Sequence, residues 1–310
     1  TMSEATSLLG YETAGTVTNL TDQNISITNG DGSGITVDNA NLLNTTTTGV
    51  VTATILTTET LTELLTLGAQ SEGATDNAYT ITIRAADATA ATAANLNTLN
   101  GLTSVAVNAT NVTGIASSSI SDINTALDAG AAGTISGLGT GLTAITVADH
   151  GAGSSIDLAD IKNAVTTADG INGGATTALN ISAVTTLAGT MAEATSLLSY
   201  EEAGTVTNLT DQNISITNDD GTGITVDNAN LLNTTTTGVV TATILTTETV
   251  TELATLTAQS EGATNNAYTI AIRGADATAA TAGQLNTIDT ATSVAVNATN
   301  VTGIASSSIS

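Results

Sequence analysis

Two short stretches carry the residues best suited to hold a cation. Asn29-Gly30-Asp31-Gly32-Ser33-Gly34 and Asn218-Asp219-Asp220-Gly221-Thr222-Gly223 set side-chain oxygens close together among glycines, a spacing that can wrap a hard ion such as calcium. The donors would be Asn29, Asp31, Asn218, Asp219 and Asp220. An EF-hand loop closes on a glutamate at its last position, and Ala40 and Ala229 stand there instead. The same residues suit a tight turn, because Asn, Asp and Gly tolerate a positive φ. Calcium is thus the one cofactor the sequence suggests, and none is required.

Other reactive residue types do not gather into a motif. His150 is the sole histidine, and although Asp149 adjoins it, no nucleophile stands nearby for it to activate. Ser117–Ser119 does not resemble a nucleophile elbow. Glu59 and Glu63 read as the solvated face of a helix rather than as a catalytic carboxyl pair. Sequons at Asn19, Asn24, Asn44, Asn108, Asn111 and Asn180 are expected by chance in a chain so rich in Asn and Thr. The sequence reads as that of a protein that is not an enzyme.

The elements that would position these residues occur twice. Residues 1–121 recur, without a gap, as 190–310, and only 17 of the paired positions differ. Residues 1–189 therefore form one complete long repeat, and 190–310 a partial second copy. Long, nearly identical tandem units build length. Within the period, strand-like runs with alternating apolar residues start near 25, 50, 79, 105, 142 and 179. Their mean separation is about 31 residues, within the range of solenoid coils. Between them lie helix-like runs at 57–67, with Thr57 or Thr58 as cap, and at 87–99, with Asp87 as cap and a stop at Asn100-Gly101. Further runs follow at 117–130, 154–170 and, more weakly, 190–200.

The expected fold is an α/β repeat: an elongated solenoid of parallel strands with short helices on one face. Right-handed crossovers would place those helices together on the apolar side. Tyr79, Ile81 and Ile83 would face the core, while Thr80 and Thr82, like Thr52 and Thr54, would form a hydroxyl face. With no Phe or Trp and only four Tyr, the core must be thin and aliphatic, and with no Pro the turns rely on Gly, Asn and Asp.

The balance of 28 acids against three bases, a net charge of −25, disfavours nucleic acid and anionic membrane surfaces as partners. No apolar run approaches the roughly 20 residues of a membrane-spanning helix. The absence of Cys excludes a disulfide-stapled fold.

Phrases such as TAANLNTLNG, VVTATILTTETLTELL, VAVNATNVTGIASSSISDINTALDAG and ISGLG resemble the degenerate repeats of giant cell-surface proteins of marine cyanobacteria and related bacteria, including the swimming-associated type. The resemblance implies an extracellular, cell-surface, structural and often calcium-associated polymer. The glycine-aspartate nonapeptides of calcium-binding toxin repeats are absent. The expected function is a segment of a giant extracellular filament, sheath or surface array, whose partners are copies of itself. A Thr-rich module that binds ice or polysaccharide is the alternative. Because Ser310 aligns with Ser121, in mid-helix, chain of the same kind is expected to continue beyond it, within a filament.

Overall fold

The computed structural model describes residues 1–28, 33–69, 76–148, 154–217, 223–259 and 265–306. It is an α/β protein built on parallel sheets. Its contacts divide it into two units, Thr1–Val147 with Ala164–Leu179, and Ala148–Asn163 with Asn180–Ser310. The calcium candidates Asn29, Asp31, Asn218, Asp219 and Asp220, and the pair Asp149 and His150, lie outside the described residues.

In the first unit, helix α1 (Met2–Thr13) precedes β1 (Ile25–Ser26), α2 (Val37–Thr46), β2 (Val51–Thr54), the single turn α3 (Leu61–Leu64) and β3 (Ala78–Thr80). Then come α4 (Ala93–Gly101), β4 (Val107–Asn108), β5 (Gly114–Ser118), α5 (Ile120–Ala132), β6 (Ile135–Ser136) and β7 (Ala144–Val147). Strands β1, β2 and β3 form one sheet, β4 pairs with β6, and β5 pairs with β7, all in parallel.

The rest of the chain supplies β8 (Ile156–Asp157), α6 (Leu158–Ile171), β9 (Ala178–Asn180), β10 (Thr186–Gly189), α7 (Met191–Glu202), β11 (Val206–Thr207) and β12 (Asn213–Ile216). It closes with α8 (Val226–Thr235), β13 (Val240–Thr243), α9 (Val250–Leu253), β14 (Ala267–Thr269) and α10 (Ala282–Thr290). In the second unit, β8, β10, β12, β13 and β14 make a five-stranded parallel sheet.

The register repeats. Partners lie 26 residues apart at Ile25↔Val51, Thr52↔Ala78, Ile214↔Val240 and Thr241↔Ala267. The interval widens to 28 at Val107↔Ile135, 30 at Gly114↔Ala144 and 31 at Ile156↔Leu187. The expected spacing of about 31 residues is thus the upper end of what is observed, because the strand count behind it missed β5, β6, β8, β10 and β11.

Alternation along the strands sorts side chains as the sequence predicts. Tyr79, Ile81 and Ile83 are fully buried, whereas Thr52, Thr54 and Thr80 are exposed and Thr82 is half-buried. Leu43 of α2, Leu64 of α3, Leu96 and Leu99 of α4, and Ile123 and Leu127 of α5 complete the first unit's core. Aliphatic side chains of this size allow backbone layers to approach closely. At Gly49 the backbone lies against Gln23, and at Gly238 against Gln212, so closely that a Cβ would overlap the neighbouring carbonyl.

Candidate functional site

The polar residues do two different jobs. One set is exposed and regular. Ser26 stands opposite Thr52, and Thr54 opposite Thr80, while in the second unit Thr243 stands opposite Thr269. Neighbouring strands lie about 4.8 Å apart and alternate residues share a face, so these hydroxyls form a small grid. The grid ends at Thr82, whose counterpart in the second copy is Ala271.

The larger set is turned inward and joins successive strand-and-helix turns. Asn77 accepts a hydrogen bond from the Val51 N–H (2.8 Å) through Oδ1 and donates through Nδ2 to Asn44 Oδ1 (2.7 Å). Asn266 repeats this arrangement with Val240 (2.9 Å) and Asn233 (2.6 Å). Thr103 Oγ1 donates to the Tyr79 carbonyl, Thr292 Oγ1 to that of Tyr268, both at 2.8 Å. Asn111 and Asn300 each donate to a strand carbonyl, of Ile83 and Ile272, at 2.9 Å. Each of these bonds spans 24 to 33 residues of chain, a range that brackets the 26 to 31 residues of the strand register. Buried backbone groups need such partners. Among the sequons, Asn44 and its copy Asn233 are buried within this network.

Both arginines belong to the same scheme. Arg84 Nε donates to Asp87 Oδ2 (2.8 Å), and that oxygen also accepts from the Leu61 N–H (2.9 Å), the first residue of α3. Arg84 Nη1 reaches the Thr58 carbonyl at 3.2 Å. Arg273, Asp276, Val250 and Thr247 reproduce this cluster. Burial raises the Asp87 pKa, but the hydrogen bonds from Arg84 and Leu61 outweigh it and hold the carboxyl below its ordinary range. At Asp276 the Arg273 hydrogen bond dominates and the shift is again downward. Asp87, expected as the cap of a helix at 87–99, thus serves α3 from the next turn of the chain. The cap of α4 is Thr92.

Glu59 and Glu63 do not share a helix face. Glu63 is the capping-box acid of α3, hydrogen-bonded to the Thr60 N–H at 2.7 Å. Glu59 precedes the cap and reaches the Val37 N–H of α2. Burial first, then the charges of Glu63 and Asp38, push its pKa up. Glu248 is shifted likewise by burial, Glu252 and Asp227. Ser117–Ser119 lies at the end of β5, where Ser118 Oγ accepts from the Ala93 N–H (2.8 Å) and Ser119 caps α5. Ser118 and Ser119 are thus spent on structure, and Ser119 is the Ser cap expected for the run at 117–130. The staples were missed: Asn and Thr read as turn formers or exposed hydroxyls unless their partners about 26 residues away are known.

Among the described residues, no three His, Cys, Asp or Glu side chains are grouped to hold a metal ion. No described helix is long and apolar enough to cross a membrane. No protein-family model matches the chain, and no curated protein or solved structure is significantly similar to it.

Proposed function

We propose that the chain is a structural repeat segment of a giant extracellular filament, sheath or surface-array protein, folded as a solenoid and associating with copies of itself. The observation that carries this reading is the shared interval: strand pairing, Asn and Thr staples and both Arg–Asp clusters all join residues one 24–33-residue step apart. Polar chemistry is invested in joining each turn to the next, which suits a load-bearing body more than a catalytic one. The cell-surface setting rests on the resemblance of the repeat phrases. Electron microscopy and sedimentation of the 310-residue chain test the proposal. Filaments or higher assemblies are expected, and a stable, isolated monomer at high concentration would count against it.

The exposed hydroxyl grid favours a second reading, a face that binds polysaccharide or ice. It predicts that lysine at Thr52, Thr54, Thr241 and Thr243 abolishes retention on an insoluble polysaccharide while leaving the fold intact. Unaltered retention would remove this reading.

A further inference from the structure

Charge is sorted between the elements of this fold. Of the 28 acids, Asp157 alone lies in a described strand, and none of the three cations does. Acids stand instead on helices, as in the first turns of α2, α5, α6 and α8 at Asp38, Asp122, Asp160 and Asp227, or in the connections. Outward strand positions hold Thr, Ser, Asn and Ala. In the second unit one row crosses all five strands as Asp157, Ala188, Ser215, Thr241 and Ala267, with Thr243 opposite Thr269 beside it. In the first unit Ser26, Thr52 and Ala78 form the matching row, with Thr54 opposite Thr80. Strands β2, β10, β12 and β13 are paired along both edges, so what they leave open is their outward face. Thr52, Thr54, Thr241 and Thr243 are exposed on it.

Two copies of a chain with net charge −25 repel wherever their acids meet, and the repulsion is least where both surfaces are neutral. The outward sheet face meets that condition. Its one acid, Asp157, sits on the edge strand β8 and accepts a hydrogen bond from the Ala159 N–H (2.9 Å). Shape agrees with charge. Small side chains on strands about 4.8 Å apart let two sheets interdigitate at about 10 Å, and each Thr hydroxyl can both donate to and accept from its opposite number. Identical row spacing in the two copies supplies the register. No aromatic ring stands on the face for a sugar to stack on: Tyr79 and Tyr268 are buried, and Tyr11 and Tyr200 lie on α1 and α7.

We infer that the outward Thr, Ser and Ala face of the sheets is the surface through which chains associate side by side, packed against the same face of a second copy. The inference rests on the proposed self-association and names the surface that carries it. Five strands about 4.8 Å apart, with two to three outward residues along each, give a face on the order of 200–300 Å². A stable interface takes about 800 Å² from each partner. Contact through the faces of this chain is therefore weak, and it strengthens as further repeats on the same two chains come into register. Salt favours it by screening the acids on the helices.

The chain has no cysteine, so the single substitutions Thr54→Cys and Thr243→Cys, with Thr98→Cys on α4 as control, report contact by the rate at which iodoacetamide alkylates them. In salt of about 1 M, alkylation at the two strand positions should slow by about tenfold or more between dilute and concentrated protein, and at Thr98→Cys it should not. Sedimentation of the 310-residue chain gives the second arm. Thr52→Asp, Thr54→Asp, Thr241→Asp and Thr243→Asp together should weaken association by about tenfold or more, and the same change at the exposed helix residues Thr62, Thr98, Thr195 and Thr251 far less. Equal association of both charged proteins and the unaltered chain would overturn the choice of face and leave self-association standing. So would undiminished alkylation at Thr54→Cys and Thr243→Cys in proteins that sediment as assemblies. A chain that stays monomeric throughout would remove self-association and the face with it. If the strand-charged protein assembles as before but is no longer retained on an insoluble polysaccharide, the face belongs to the polysaccharide and the inference falls.

Discussion

Asp87 shows how much a single side chain does when each turn rests on the next. Its Oδ2 satisfies the first N–H of α3 and the Arg84 guanidinium at once. Asp87→Ala would leave the first N–H of α3 unpartnered and strip the part-buried Arg84 of its carboxylate, at a cost of about 2 kcal/mol. Urea unfolding should show the loss, and Asp76→Asn, a change the second copy already carries at Asn265, should show none. The pH dependence has two arms. Asp87 and Asp276 have lowered folded values, so their stabilisation is present above the ordinary aspartate value and vanishes as pH falls through the lowered one. Glu59 and Glu248 have raised values, so their contribution is present below the ordinary glutamate value and is lost as pH rises through the raised one. Stability should therefore peak at mildly acidic pH, and Glu59→Gln with Glu248→Gln should flatten the decline towards neutrality. A profile with the same decline in that double variant would refute the second arm. None of this was legible in the sequence, where Asp87 reads as a local cap because its true partner lies 26 residues earlier.

Most of the described helices begin on threonine. Thr1, Thr60, Thr92, Thr190, Thr249 and Thr281 each form a capping box with the residue three positions on. Helices this short gain little from propensity, so their ends matter. Thr92→Ala should cost about 1 kcal/mol and Thr92→Ser far less, because the serine hydroxyl also accepts from the Asn95 N–H. Equal losses for both substitutions, read from urea midpoints, would exclude capping as the cause. Several elements were legible for a simple reason: alternation marked β2, β3, β7 and β12, and a Ser cap marked the start of α5, which runs past the expected exit at Gly130 to the left-handed Gly133. The run at 57–67 shrinks to α3 because Thr60, not Thr57 or Thr58, finds its acid three residues on. Helix α2 escaped notice because Val37, Ala40 and Leu43 are set among asparagines and threonines that read as loop. The two-residue strands β6, β8 and β11 are too short for any period to show, and only pairing with a distant partner defines them.

At the scale of the whole molecule, charge is the term that packing leaves uncompensated. Of three cations, Arg84 and Arg273 are already engaged by Asp87 and Asp276, against 28 acids in all. Self-repulsion of this size opposes the folded state and any approach of a second copy, and it is screened by salt. The Debye length falls from about 30 Å at 0.01 M to about 3 Å at 1 M ionic strength. The unfolding temperature should therefore rise by about 5 °C or more over that range, as about 1–2 kcal/mol of repulsion is removed. Self-association should rise with it. If screening is the whole cause, sodium and calcium at matched ionic strength will stabilise alike, since no described acids converge on one ion. The stretches containing Asn29, Asp31, Asn218, Asp219 and Asp220 provide the contrasting outcome. An extra stabilisation by micromolar calcium, reversed by chelator and absent after Asp31→Ala with Asp220→Ala, would assign those residues to calcium. A salt-independent unfolding temperature would instead mean that the acids lie too far apart to repel one another, and the electrostatic account of this protein would fail.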